Sequence, residues 1–387
     1  MCDVPALRFP EFTDEWKKIR LGDNCSIQMC KRIMAAQTNT EGGVPFYKIG
    51  TIGGKADAYI SKDLFDEYKR KYSYPNKGEV MITCAGTVGK CVIYDGEDSY
   101  YQDSNIVWID NPNEIISNDF LYHLLSNINW SYLNSTTIVR IYNDDLRNLK
   151  LCCPRLDEQK KIARFLSLIN ERIATQNKII EDLRLLRDAI MVEHYRKCNK
   201  SELCIYDIGE PFNVMNLSKD DLTKDGSPCI IYGELFTTYG CVIENVVSHT
   251  TKSLNSTLSI KGDLLFPAST TVDALSLIAP SSINEDGIIL GGDMFGIHVN
   301  EQYNSNYLSY YFNIIGKKNL AKYAKGSTII HLHYADIQKA KITLPNNNEQ
   351  EAVANLLLKV EHKLNIEQKM LINYLNIKNF LLRQMFI

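Results

Sequence analysis

Between Arg155 and Ile208 the chain has neither proline nor glycine. Nothing there interrupts a helix, so a long one is allowed. No apolar run approaches the roughly 20 residues that span a bilayer, so no transmembrane helix is expected. The opening Met1–Pro10 has no basic stretch followed by an apolar core, so no secretory signal peptide is expected. The eleven cysteines all lie at or before Cys241, with no Cys-x-x-Cys pair and no zinc-type Cys/His spacing. Reduced cytosolic thiols, several of them buried, and no metal site are expected. Walker A, Gly-x-Ser-x-Gly and His-Glu-x-x-His are missing, as are a glycine-rich cofactor loop and the Asp/Asn-Pro-Pro-Tyr/Phe of amino-methyltransferases. With no catalytic constellation, the chain reads as a recognition subunit and not an enzyme.

Strong positive charge is also missing. The net charge is −3 over 387 residues. Residues 201–340 hold 9 basic and 15 acidic side chains, whereas residues 151–200 hold 11 and 7. A polyanion would therefore meet local clusters, or a partner would supply the positive charge.

What is present is a repeat. Lys150, Pro154, Glu158-Gln159, Ala163 and Leu166 recur 191 residues later as Lys341, Pro345, Glu349-Gln350, Ala354 and Leu357. Upstream, Thr137-Ile138 and Asp145-Leu146 recur as Thr328-Ile329 and Asp336-Ile337. Each copy opens a heptad seam. The first runs through Ile162, Leu166, Ile169, Ile173, Gln176, Ile180, Leu183, Arg187 and Ile190. The second runs through Val353, Leu357, Val360, Leu364, Glu367, Leu371, Tyr374, Lys378 and Leu381. Both seams are polar at the same two places. An antiparallel pairing then predicts Arg187 facing Glu367 and Gln176 facing Lys378, because buried polar seam residues specify register. The organisation expected is a recognition domain in 1–150, a spacer helix in 151–200, a second domain in 201–340 and a second spacer helix in 341–387. The class is α+β, with two globular domains related by a pseudo-twofold and separated by two long antiparallel coiled-coil helices.

The two globular segments share landmarks: Leu21-Gly-Asp23 with Ile208-Gly-Glu210, Lys77-Gly-Glu79 with Lys261-Gly-Asp263, and Pro45 with Pro228. Strands are expected at 44–50, 79–83, 106–109, 229–232 and 263–266, with helices at 119–131 and 307–315. Candidate DNA contacts are basic groups beside aromatic or hydroxyl groups. In the first segment they are Lys31-Arg32, the run Lys69-Arg70-Lys71 between two tyrosines, and Arg140 with Tyr142-Asn143. The loop Ala85-Gly-Thr87-Val-Gly-Lys90 lacks the full phosphate-loop pattern and reads instead as a DNA-facing loop. In the second segment, Lys317, Lys318, Lys322 and Lys325 are expected along a helix that runs into Gly326-Ser327-Thr328. His331 and His333 would share one face of a strand.

Taken together, these motifs resemble the specificity subunit of type I restriction–modification systems. The likeness covers Phe9-Pro to Asp23, both Lys-Gly-acid strand entries, both Pro…Glu-Gln helix starts and the ending Leu382-Arg-Gln-Met-Phe386. The resemblance implies that each globular segment reads one half of a bipartite, asymmetric DNA site. It implies that the helices set the spacer and dock two methyltransferase subunits, through which restriction/translocase subunits join. S-adenosylmethionine, ATP and magnesium would then reside on those partners, and the location would be the bacterial or archaeal cytoplasm. DNA-facing positions carried over by the resemblance are Thr83 to Lys90, Ser269-Thr270, Thr137, and Ser327-Thr328. A stand-alone or silent DNA-binding cassette of the same fold is the alternative.

Overall fold

The computed structural model describes residues 4–133, 140–214, 216–252 and 256–386. The chain divides into two compact units, Met1–Gln176 with Met370–Ile387, and Asn177–Lys369. Each long helix, Leu156–Lys197 and Asn347–Met385, contributes one half to each unit. Both units are mixed helix and sheet, as expected.

In the first unit the central sheet is antiparallel, in the order Ser26–Met29, Ile106–Asp110, Val80–Thr83, Cys91–Ile93. A smaller sheet pairs Val44–Tyr47 antiparallel with Tyr59–Ile60 and parallel with Tyr100–Tyr101. Lys17–Arg20 pairs with Lys150–Cys153. The second unit repeats the plan. Its main sheet runs Gly209–Asn213, Met294–Val299, Asp263–Pro267, Ser281–Ile283, Val242–Ile243. Ser227–Ile231 again lies parallel to Ile289–Gly291, and Ser201–Cys204 pairs with Lys341–Leu344. The domain helices are Asn118–Asn127 and Ser305–Ile314. The first ends sooner than the sequence reading, and residues 130–133 form a separate 3₁₀ turn.

The shared motifs now have physical causes. In Lys-Gly-acid the glycine adopts φ of 91° at Gly78 and 95° at Gly262, a left-handed conformation that glycine accepts without cost. The acid is buried and closes the turn: Asn76 N–H donates to Glu79 at 2.7 Å, and Ile260 N–H donates to Asp263 at 2.8 Å. Burial pushes both carboxyls above their ordinary range. In the Glu-Gln motif the glutamine is fully buried at both helix starts. Gln159 accepts from Ser117 N–H at 2.8 Å, and Gln350 accepts from Asn304 N–H at 3.0 Å. Each amide nitrogen donates to the preceding proline carbonyl. Ser117 and Asn304 are the N-caps of the two domain helices, so one side chain ties two helix starts together.

The long helices are antiparallel within each unit, but the predicted register is corrected. Arg187 meets Glu361 at 3.3 Å in the second unit, not Glu367. In the first unit Arg172 donates to the Tyr374 hydroxyl at 3.1 Å, and Lys378 lies close enough to His123 to disfavour its protonation. Both pairings sit about one heptad from the prediction. A slip of seven residues leaves the apolar seam matched, so periodicity alone does not choose between these registers. The helix ends choose it. Leu381 and Met385 join Ile162, Ala163 and Leu166 in the first unit's core, and Asn127 donates to the Leu382 carbonyl. Glu367 is buried and pairs with Lys363 one turn away at 2.5 Å, and Gln176 is buried.

Nine described cysteines are free thiols, six of them buried. Cys152 is disulfide-bonded, which departs from an all-reduced chain. No described helix is long and apolar enough to cross a membrane.

Candidate nucleic-acid interface

In the first unit the strand Val80–Thr83 runs into the loop that ends at Lys90. Thr83 is fully buried and is not a surface contact. Its hydroxyl donates to the Thr87 carbonyl and accepts from Lys90 N–H at 3.0 Å, holding the loop closed. Gly89 has φ of 82°, and a Cβ there would lie 2.2 Å from the Trp130 ring. The loop is thus pinned at its base, with Gly86 and Thr87 exposed at its tip. Lys90 Nζ donates to the Ile52 carbonyl at 2.5 Å, so its amine is engaged by backbone.

The next turn of the interface is fixed by a long-range backbone hydrogen bond. Ile141 N–H donates to the Cys84 carbonyl at 2.9 Å. This places Arg140, Tyr142 and Asn143 beside the loop. Tyr142 caps the short helix Asn143–Arg147, its N–H donating to Asp145 at 2.7 Å. The Arg140 guanidinium lies 5.8 Å from the Tyr142 ring centre, a cation–π spacing. Arg140, Tyr142 and Asn143 line an open groove of about 310 Å³ with Met29, Ser104 and Arg147. Three of its residues were candidates from sequence. Met29 and Ser104 were not, because strand pairing and not spacing brings them there.

Other candidates disperse. Arg32 pairs with Asp103 at 3.0 Å, next to the groove residue Ser104. Lys69, with Lys62, clamps Asp98, and the two amines hold that carboxyl below its ordinary range. Lys71 pairs with Glu67. Lys69, Arg70 and Lys71 occupy the last turn of the helix Lys62–Lys71, where positive charge also offsets the helix dipole. Lys31 lies 5.5 Å from the Tyr72 ring. Thr137 and its neighbours at 134–139 lie outside the described residues.

The second unit builds the same frame from a different sequence. Leu332 N–H donates to the Ala268 carbonyl at 2.8 Å, and His333 caps the helix Tyr334–Ile337, its N–H donating to Asp336 at 3.1 Å. Ser269–Thr270 forms a two-stranded ladder with Ile330–His331. Ser269 is buried, which removes it from the surface candidates. The lysine helix is corrected: only Lys317–Leu320 is α-helical, followed by a 3₁₀ turn at Ala321–Tyr323. Gly326 breaks the run at φ of 119°, where a Cβ would lie 2.0 Å from the Ile329 carbonyl oxygen. Lys322, Ser327 and Thr328 are exposed. Lys325 pairs with Asp336 at 2.5 Å and holds that carboxyl below its ordinary range. His331 and His333 stack at 6.2 Å, although His333 lies past the strand. No metal-binding cluster occurs among the described residues.

The family described as type I restriction modification DNA specificity domain matches residues 13–185 and again 202–376. A type I restriction enzyme specificity subunit of Haemophilus influenzae is 48% identical over 187 residues, which is 48% of each chain. The MjaVIII specificity subunit of Methanocaldococcus jannaschii is 24% identical over 95% of this chain and 90% of its own. Among solved structures, the type I restriction–modification S subunit from M. genitalium covers 100% of this chain and 99% of its own. Its TM-score is 0.66 at 15% identity. A chain from a study of type I R-M complex assembly covers 96% and 97%, with a TM-score of 0.54 at 14% identity. The chain belongs to the type I restriction–modification specificity-subunit family.

Proposed function

We propose that this chain is the non-catalytic DNA reader of a type I restriction–modification complex, with each unit recognising one half of a bipartite, asymmetric double-stranded site. The observation that carries this reading is the duplicated frame. In both units a backbone hydrogen bond ties the strand-exit loop to a capped turn, at Cys84–Ile141 and at Ala268–Leu332. The buried parts of the frame match, while its exposed side chains differ. One scaffold used twice with different side chains suits two different half-sites. The long helices set the number of unread base pairs and dock two methyltransferase subunits, through which restriction/translocase subunits join. S-adenosylmethionine, ATP and magnesium belong to those partners, and the complex works in the cytoplasm. The acidic second unit is consistent with partners supplying part of the charge that holds the duplex.

The test is a genome-wide adenine-methylation map of cells expressing this chain with the methyltransferase of its system, against cells lacking the chain. A split motif methylated in both halves is the expected result. No new methylation, with both proteins soluble and associated, would point to a silent cassette and overturn the proposal.

A further inference from the structure

The two frames can be aligned residue by residue, and the alignment separates scaffold from variable positions. Ile141 and Leu332 are buried and make the same backbone hydrogen bond. Asp145 and Asp336 make the same capping bond, and Leu146 and Ile337 are both fully buried. Besides the exposed pair Asp144 and Ala335, three positions between 140 and 146 and their counterparts are at least partly solvent-accessible, differ chemically and carry hydrogen-bond donors. They hold Arg140, Tyr142 and Asn143 in the first unit, and His331, His333 and Tyr334 in the second. A backbone held this firmly keeps each of these side chains at a set place. Such constancy is what reading a base edge requires, because a bidentate pair tolerates little displacement. In the first unit the three residues also line the open groove.

Resting on the proposed function, we infer that these are the specificity-determining positions of the two units. Arg140 reads a guanine through its N7 and O6 acceptors, and Asn143 reads an adenine. In the second unit His331, at the place of Arg140, donates to a purine acceptor of the other half-site. Tyr142 is a positioning residue that holds the Arg140 guanidinium over its ring. The two half-sites therefore differ because one frame presents different donors.

The experiment uses the full chain assembled with its methyltransferase, and duplexes bearing the mapped site. Each guanine of one half-site is replaced in turn by 7-deazaguanine, which lacks the N7 acceptor. At one guanine in the half-site read by the first unit, the wild-type complex should bind about 5- to 150-fold more weakly. R140A should bind the natural and the modified duplex equally. R140K keeps the charge but loses the planar fork, and should bind the natural duplex more weakly than wild type. Equal sensitivity of wild type and R140A, or a first half-site without guanine, would overturn the inference and leave the proposed function standing. A wild-type complex insensitive to the replacement at every guanine of that half-site would leave Arg140 at most a phosphate contact and likewise overturn it. A wild-type complex with no preference for the mapped site over a scrambled duplex would overturn both readings.

Discussion

At the scale of single residues, the polar groups that recur in both halves of the chain act as fasteners. Gln159 and Gln350 each satisfy two helix starts, and Glu79 and Asp263 each close a strand-entry turn. They are buried, so losing one leaves backbone donors unpaired. Their recurrence was legible in the sequence; their bonding was not, because partners such as Ser117 and Asn304 lie some 40 residues away or more. His123 was not legible at all. It is buried, contacts Ser167 at 3.3 Å, and is held down at about 4, first by burial and then by the nearby Lys378 charge. Its folded value lies below the ordinary 6.5. The stability it allows is therefore present above about pH 6.5 and lost as the pH falls through its folded value. Urea unfolding between pH 7 and pH 4.5 should show wild type losing more stability than His123→Gln. The difference should be of order 1–3 kcal/mol. Because His194 is also held down by burial, the comparison with the variant isolates His123. Parallel pH profiles for the two proteins would refute this account.

At the scale of elements, the heptad pattern predicts both long helices and their antiparallel sense, yet it misplaces the register by about one heptad. Seam residues repeat every seven positions, so neighbouring registers bury similar apolar area. The decision falls to contacts outside the seam, such as Leu381 and Met385 in the first unit's core. A double-mutant cycle tests the corrected register. Arg187 and Glu361 have side chains only 19% and 12% exposed. Arg187→Met with Glu361→Met should reveal a coupling of about 1 kcal/mol or more. Arg187→Met with Glu367→Met should show a coupling near zero, and the reverse pattern would restore the register read from sequence. The lysine run at 317–325 teaches the same lesson on a smaller scale. Its spacing suited a helix, but Gly326 and the ladder through Ile330–His331 require the chain to turn.

At the scale of the whole molecule, duplication is the organising fact. Each unit has its own core and its own copy of the interface frame. Independent frames imply independent reading. Exchange of residues 20–150 for the corresponding segment of another family member should change one half of the methylated motif and leave the other half as it was. A methylation map of the chimera makes the check, and a change in both halves would contradict separate readers.

By itself the sequence determined the repeat, the long helices, the α+β class and the family. These depend on local patterns: a proline- and glycine-free run, a heptad seam, and motifs conserved in order and spacing between the two halves. Tertiary structure alone decided the register of the helices, and it decided which candidate side chains face solvent. Thr83 and Ser269 were expected to face DNA from the family resemblance and are buried, because each belongs to a sheet whose neighbouring strands come from other parts of the chain. The groove beside Arg140 joins residues from three such parts, Met29, Ser104 and Asn143. Contacts of that separation arise from strand pairing and core packing, which no window of sequence encodes on its own.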